Sequence, residues 1–229
     1  MIALIDYGGG NVGSVLKAIQ YLGGAAEVVD RPERLAAATK IILPGQGHFG
    51  AMMHALRARG LLEPLRKVVE NSIGSRAAGT FVDRSARTKS FAGSAPAGPA
   101  REDKPFLGIC LGLQALYESS EEAPEGPGLG ALRGRVARFE GVFKVPHVGW
   151  SQLEIPRQSR LLGGVAGGSF VYYCHSYYGP VTEESVALTD YGQRFAAAVE
   201  TGNLWAVQFH PEKSGEVGLR VLKNFLDLK

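Results

Sequence analysis

Cysteine is scarce: the 229 residues hold two, Cys110 and Cys174, far apart in the chain. Two such thiols make no disulfide framework, so the fold must stand on its apolar core. Charge of one sign is equally scarce. The net value is +3 with acids and bases interspersed, and without a basic stripe or tail neither nucleic acid nor a membrane surface is an expected partner. No apolar run reaches membrane-spanning length, and the opening Met-Ile-Ala-Leu-Ile-Asp reads as a strand, lacking the basic n-region and long h-region of a secretory signal. A cytoplasmic protein is expected, in a compartment that keeps thiols reduced. What is plentiful is hydrophobic sequence, 45% of the chain, enough for a full core in one α/β domain over residues 1–229.

One of the two cysteines stands in an unusual place. Phe106 to Ile109 form a short apolar run after Pro105, and Leu111, Gln114, Ala115 and Glu118 then recur at helical spacing. Cys110 therefore sits where a buried strand becomes a helix. Gly108 and Gly112 flank it at the spacing of a nucleophile elbow, in which small neighbours permit a sharp turn that presents one side chain above the sheet. A thiol at a helix N-terminus can have its pKa drawn from about 8.5 toward roughly 3.5–7.5. The plainer alternative, a buried structural cysteine, is less compatible with two glycines and a change of period. Cys174, in an aromatic run without glycine neighbours, reads as a packed core thiol.

A cysteine nucleophile needs a base, commonly from a distant part of the chain. Of the five histidines, His210 ends an apolar strand, Trp205-Ala206-Val207-Gln208-Phe209, and Pro211 stops the ladder there. Loops at strand C-terminal ends are where α/β folds place their chemistry. Glu212, two residues on across a stiff proline, is positioned to orient the imidazole as the third member of a triad. Alone, H-P-E reads as a surface turn; with G-I-C-L-G it reads as half of an active site.

Taken together, these motifs resemble the class I, triad-type glutamine amidotransferases, which use Cys, His and Glu in this order. The likeness extends to Ile5-Asp6-Tyr7-Gly8-Gly9-Gly10-Asn11, Pro44-Gly45-Gln46-Gly47, Pro146-His147-Val148-Gly149-Trp150, His175-Ser176-Tyr177-Tyr178 and Lys213-Ser214 after H-P-E. Within the superfamily these extra motifs are most similar to the glutaminase subunits of imidazole glycerol phosphate synthases. The resemblance implies a three-layer α/β fold with a mixed, largely parallel sheet and helices on both faces. It also implies glutamine hydrolysis by Cys110, His210 and Glu212, with an oxyanion hole at Gly47 and the Leu111 N–H. Gly45, Gln114, Glu122, Ser176 and Tyr177 would hold L-glutamine. No cofactor or metal is implied. The expected partner is a separate (β/α)8 cyclase subunit in a heterodimer, met through Asn11, Trp150, Tyr172 and Lys213, which would take the ammonia. Alternatives are a glutaminase for anthranilate or guanylate synthesis, or a binding subunit that has lost its chemistry.

The rest of the chain gives coarser expectations. Gly8 to Gly13 match G-x-G-x-x-G after a strand and before a helix, with Glu27 and Asp30 as ribose acids, but nothing else suits hydride transfer. Asp30 with Glu33 suggests a capping box for a helix from Pro32. His48 follows the Gly45–Gly47 turn where the resemblance implies a small residue. Residues 72–103, rich in Ala, Gly, Ser and Pro, depart from the family and read as a loop insertion. The stretch from Glu118 to Glu122 reads as an acidic loop. Strands are expected at Arg135–Phe139, Gln152–Glu154, Phe170–Tyr173, Ala187–Leu188, Phe195–Glu200 and Trp205–Phe209, with a last helix over Val217–Leu228.

Overall fold

A computed structural model describes residues 1–73 and 103–228. All but three residues of the expected insertion, 72–103, fall outside the described residues. Its two flanks are tied together: Ser72 Oγ donates to the Lys104 carbonyl at 2.7 Å, and Asn203 Nδ2 to the Asp103 carbonyl at 3.1 Å.

Among the described residues the main sheet has seven strands. β1 (Ile2–Ile5), β2 (Ala26–Val29), β3 (Lys40–Gly45), β4 (Phe106–Cys110) and β12 (Leu204–Val207) run parallel in the order β12-β4-β3-β1-β2. β11 (Arg194–Thr201) and β10 (Ser185–Asp190) extend it antiparallel beyond β12. The sheet is thus mixed and mostly parallel, as expected for α/β. Period-2 alternation divides its residues between two cores. Ala3, Ile5, Ile41, Leu43 and Phe106 point to one, covered by α3 (Phe49–Ala58) and α4 (Leu62–Ser72); Leu4, Ile42, Leu107, Ile109 and Val207 point to the other, covered by α1 (Val12–Tyr21) and α6 (Gly215–Asp227). Helices on both faces leave the parallel strands buried, which is why they read as continuous apolar runs.

The remaining strands lie beside this sheet. β5 (Tyr117–Ser120), β6 (Leu132–Arg138) and β9 (Tyr177–Tyr178) form one small sheet, and β7 (His147–Gln152) pairs with β8 (Phe170–His175) in an antiparallel ribbon.

Several local expectations are corrected. The elbow helix α5 (Leu111–Gln114) is a single turn, because the chain leaves it at once to bury Tyr117 in β5; Glu118 therefore lies on a strand, not on a helix. Glu118–Glu122 is accordingly part strand. The first strand of the ribbon is His147–Gln152, and Gln152–Glu154 contributes only its first residue and an isolated bridge from Glu154 to Leu188. The capping box at Asp30 does not form. Arg31 is the N-cap of α2 (Pro32–Leu35) with no side-chain cap, while Asp30 accepts from Arg31 Nε at 3.2 Å and lies 3.9 Å from Arg59. Two guanidiniums outcompete a helix end whose first residue, a proline, brings no N–H. The other supposed ribose acid, Glu27, pairs with Arg34.

Candidate active site

Cys110 ends β4 with φ +55°, the one described non-glycine residue at positive φ. A branched or bulky side chain is held in that region only when its surroundings insist on it, and such strain is typical of functional sites. Here three glycines supply the constraint. Gly45 pairs in register with Cys110, and a Cβ on it would come within 2.6 Å of the Gly112 nitrogen and Leu111 Cβ. A Cβ on Gly108 would stand 2.7 Å from the Gly112 carbonyl oxygen, and one on Gly112 would overlap the Leu43 carbonyl oxygen. The elbow is pressed directly onto β3 and β4, with no space for a methyl group between them.

His210 follows β12, the neighbour of β4, at the same end of the sheet. Its Nδ1 lies 2.9 Å from Glu212 Oε1, and the two side chains are 1% and 0% exposed. A carboxylate can only accept there, so Nδ1 donates to Glu212 and Nε2 is the nitrogen turned away from it. Nε2 is buried without a hydrogen-bond partner, and the Cys110 sulfur is the group that acts on it electrostatically. Burial pushes the His210 pKa down, but the Cys110 sulfur and Glu212 more than reverse this, raising it to about 10. Glu212 shows the complementary balance: burial raises its pKa, and the bonds from His210 and Asn11 take it below the ordinary carboxylate value. The imidazole is thereby held charged beside the sulfur. The one-turn helix adds little, since a macrodipole needs aligned peptides, so the charge beside the sulfur is that of His210 and not the helix end.

Four side chains complete the arrangement in roles the sequence did not give them. Asn11, expected only at a partner face, donates from Nδ2 to Glu212 Oε1 at 2.8 Å. Gln208, fully buried, points its Nε2 at Cys110 Sγ, 3.6 Å away, and accepts from Gln114 Nε2 at 3.2 Å. Tyr7 places its hydroxyl against both backbone groups of Gln46, at 3.2 Å from the nitrogen and 3.3 Å from the oxygen, bracing the turn before Gly47. Ser214 ties the His210 loop to β8, donating to the His210 carbonyl at 2.7 Å and accepting from the Tyr172 N–H at 2.9 Å.

A cavity of about 290 Å³ opens at Cys110. Gly47, Leu111, Gln114, Glu122, Ser176 and Tyr177 line it, so six of the seven oxyanion and substrate residues expected from the sequence share one space with the thiol. Gly45 does not line it, because it is packed beneath the elbow; its place is structural. Gln46, Pro146, Cys174 and His175 complete the wall. Cys174 is thus half-buried at the cavity and not the packed core thiol expected. Gly47 has φ +104°, which a glycine adopts without cost. Glu122 is held in place by the Phe49 N–H, 2.7 Å from its Oε2, at the start of α3. His48 caps the same helix, its Nδ1 accepting from the Gly50 N–H at 3.1 Å. An aromatic acceptor can cap a helix as Ser or Asp does, which accounts for a residue the sequence left unexplained.

Three of the four expected partner residues, all but Asn11, gather on one side of the ribbon. Trp150 stands opposite Tyr172 with ring centroids 6.1 Å apart, and Lys213 Nζ lies 5.9 Å from the Tyr172 ring centroid. Val148, Trp150 and Phe170 are exposed there. Among the described residues no helix is long and apolar enough to cross a membrane.

Residues 87–228 match the glutamine amidotransferase class-I family. The chain is 42% identical to the imidazole glycerol phosphate synthase subunit HisH of Moorella thermoacetica, over 99% of this chain and 94% of that one. It is 43% identical to the HisH subunit of Methanothermobacter thermautotrophicus, over 100% and 98%. The fold is similar to that of a glutamine amidotransferase crystal structure, with TM-score 0.68 and 21% identity, covering 99% of this chain and 98% of that one. With Cys110 on a glycine-locked elbow and His210 bonded to a buried carboxylate, the chain belongs to the class-I glutamine amidotransferase family and, within it, to the HisH subunits.

Proposed function

We propose that this chain hydrolyses glutamine to glutamate and ammonia as the glutaminase subunit of an imidazole glycerol phosphate synthase, in the histidine pathway and in the cytoplasm. The observation that carries the reading is the Glu212–His210–Cys110 array beside a cavity at the lower end of the ~300–1,000 Å³ range of small-molecule pockets. The Cys110 sulfur attacks the side-chain carbonyl of glutamine. The Leu111 N–H, first in its helix and without an intrahelical acceptor, and the Gly47 N–H receive the developing oxyanion, each such donor being worth about 3–4 kcal/mol. His210 gives its proton to the leaving nitrogen, ammonia departs and a thioester remains. His210 then takes a proton from water, which cleaves the thioester to glutamate and restores the thiolate. Glu212 keeps the imidazole in the tautomer and orientation this requires. Gln114, Glu122, Ser176 and Tyr177 hold the substrate, and residues 1–229 act as one domain.

A (β/α)8 cyclase docks on the face of Trp150, Tyr172 and Lys213 in a heterodimer. It condenses the ammonia with a phosphoribosyl aminoimidazole-carboxamide precursor, giving imidazole glycerol phosphate and the carboxamide ribonucleotide. Aromatic anchors beside a cation are the composition that interface cores favour.

The test is Cys110→Ser in the reconstituted complex. Glutamine-dependent cyclisation should vanish while added ammonium still supports it, and a glutamine-analogue electrophile should modify Cys110 in the wild type. Since Cys174 lines the same cavity, it is a demanding control; modification mainly at Cys174 would overturn the assignment.

A further inference from the structure

The steps of glutamine hydrolysis leave Gln208 without a task. It is a fully buried amide in an otherwise apolar run, Trp205 to Phe209, where a leucine or valine would cost less to bury. A polar side chain is kept in such a place when its hydrogen bonds are made. Both ends of this one are engaged. Its Oε1 accepts from Gln114 Nε2 at 3.2 Å, and its Nε2 donates to Cys110 Sγ, 3.6 Å away.

Which end meets the sulfur follows from the donors and acceptors around it. Gln114 Nε2 lies 2.7 Å from the Tyr177 carbonyl, which can only accept, so the atom in that place is the nitrogen of Gln114. Its second hydrogen requires an oxygen from Gln208, and the other end of the Gln208 amide is then the nitrogen that faces Cys110. The sulfur accepts. A hydrogen-bonded chain thus runs from the backbone of β9 through two amides to the sulfur, and each link sets the direction of the next.

The segment that carries Gln208 also carries the base. Gln208 and His210 stand two residues apart after β12, and both act on the sulfur, one by hydrogen bonding and the other electrostatically. Gln208 is anchored at its own backbone, where its N–H donates to the Ala197 carbonyl of β11 at 2.9 Å. It does not line the Cys110 cavity, so it reaches the sulfur through the protein and not through the space left for a substrate.

We propose that Gln208 is a positioning residue for the nucleophile, its amide N–H holding the Cys110 sulfur in the rotamer that serves both His210 and the cavity. This rests on the glutaminase reading above. The elbow fixes the backbone of Cys110, but a cysteine side chain retains three staggered χ1 wells, and a turn by one well would swing the sulfur away from its base. The bond from Gln208 removes that freedom. The hydrogen stays with Gln208 throughout, so no proton is transferred and no covalent bond changes.

The experiment is glutamate release by Gln208→Met in the reconstituted glutaminase–cyclase complex, with kcat expressed per Cys110 site titrated by a glutamine-analogue electrophile. Methionine keeps the length of the side chain and lacks the N–H. The kcat per titrated site should fall about fivefold, the factor carried by one neutral hydrogen bond. KM for glutamine should stay within twofold, because Gln114, which lines the cavity, keeps its bond to Tyr177. A merely structural role would lower the number of titrated sites and leave kcat per site unchanged, and that result would overturn the proposal. Should the variant fail to fold, the Gln208 side-chain amide is followed by ¹⁵N NMR in the wild type and in Cys110→Ala. The hydrogen directed at the sulfur should shift far more than its partner on the same nitrogen, and equal or absent shifts reject the contact. A wild-type complex that releases no glutamate would instead remove the glutaminase reading itself, which the NMR result does not depend on.

Discussion

Replacing Asn11 by alanine tests whether a residue of the first loop serves the proposed catalytic carboxylate, Glu212, at the other end of the chain. The bond lost is the 2.8 Å contact from Asn11 Nδ2 to Glu212 Oε1. Glu212 Oε2 already has no partner, so the variant leaves a buried carboxylate with His210 as its remaining side-chain partner. A hydrogen bond to a charged group is worth about 1.5–3 kcal/mol. At about 1.4 kcal/mol per factor of ten, complete loss would slow the reaction roughly 10- to 150-fold. Asn11 is only partly buried, and a water entering the gap would recover part of the bond, so the expected fall in kcat is near the lower end, about tenfold. KM for glutamine should hold, because Asn11 does not line the cavity. Because the variant weakens a bond that lowers the Glu212 pKa, the acid limb of the kcat profile should also move to higher pH. The assay is glutamate release at saturating cyclase, where a mere loss of docking affinity is overcome. A kcat within twofold of wild type there, with an unmoved acid limb, would refute the argument.

Gly112→Ala should cost about 1–3 kcal/mol in thermal or denaturant unfolding, as overpacking does, since its methyl overlaps the Leu43 carbonyl oxygen; it should also slow electrophile labelling of Cys110, and wild-type stability with normal labelling would show that the elbow is not locked. Stability should fall in acid: His175 has a native pKa lowered to about 3 from 6.5, so its contribution is complete above 6.5 and is lost at about 1.4 kcal/mol per pH unit as pH falls through that window. Urea unfolding at about pH 5 should show a loss of roughly 2 kcal/mol from this residue, with His147 acting in the same direction and His210, whose pKa is raised, contributing stability that disappears only above 6.5; a flat profile would contradict it. Lys213→Ala should weaken stimulation of glutaminase activity by the cyclase more than it alters the isolated subunit's unfolding, because an exposed charge contributes little to folding; equal stimulation at saturating cyclase would remove Lys213 from the coupling.

The parts legible in the sequence were those written locally. G-I-C-L-G and H-P-E each fit within a few residues, and the apolar runs of β1, β3, β4 and β12 are long enough to read without partners. Gln208 was invisible because it lies in an apolar run, just past the end of β12, and only the folded elbow shows that its amide reaches the thiol. Tyr7 and His48 were hidden for a related reason: each serves backbone atoms, which carry no residue signature. β5 was read as acidic loop because its outward residues, Glu118 and Ser119, outweigh a pattern set by buried Tyr117 and Ser120 at its two ends. Cys174 looked like core because its neighbours are aromatic, but period-2 alternation in β8 turns it to the side opposite Tyr173.

The position of β12 bears on how the enzyme comes into being. This strand, among the last to be synthesised, lies between β4 and β11 in the middle of the sheet, and His210 and Glu212 follow it. A chain growing from the ribosome carries Cys110 for nearly half its length before its base exists, and the β4 edge stays unpaired on that side until β12 emerges. The thiol is therefore without His210 throughout synthesis. Activity is tied to completion of the sheet, so an incomplete or unfolded chain cannot waste glutamine, at the cost of exposing a central apolar edge late in folding.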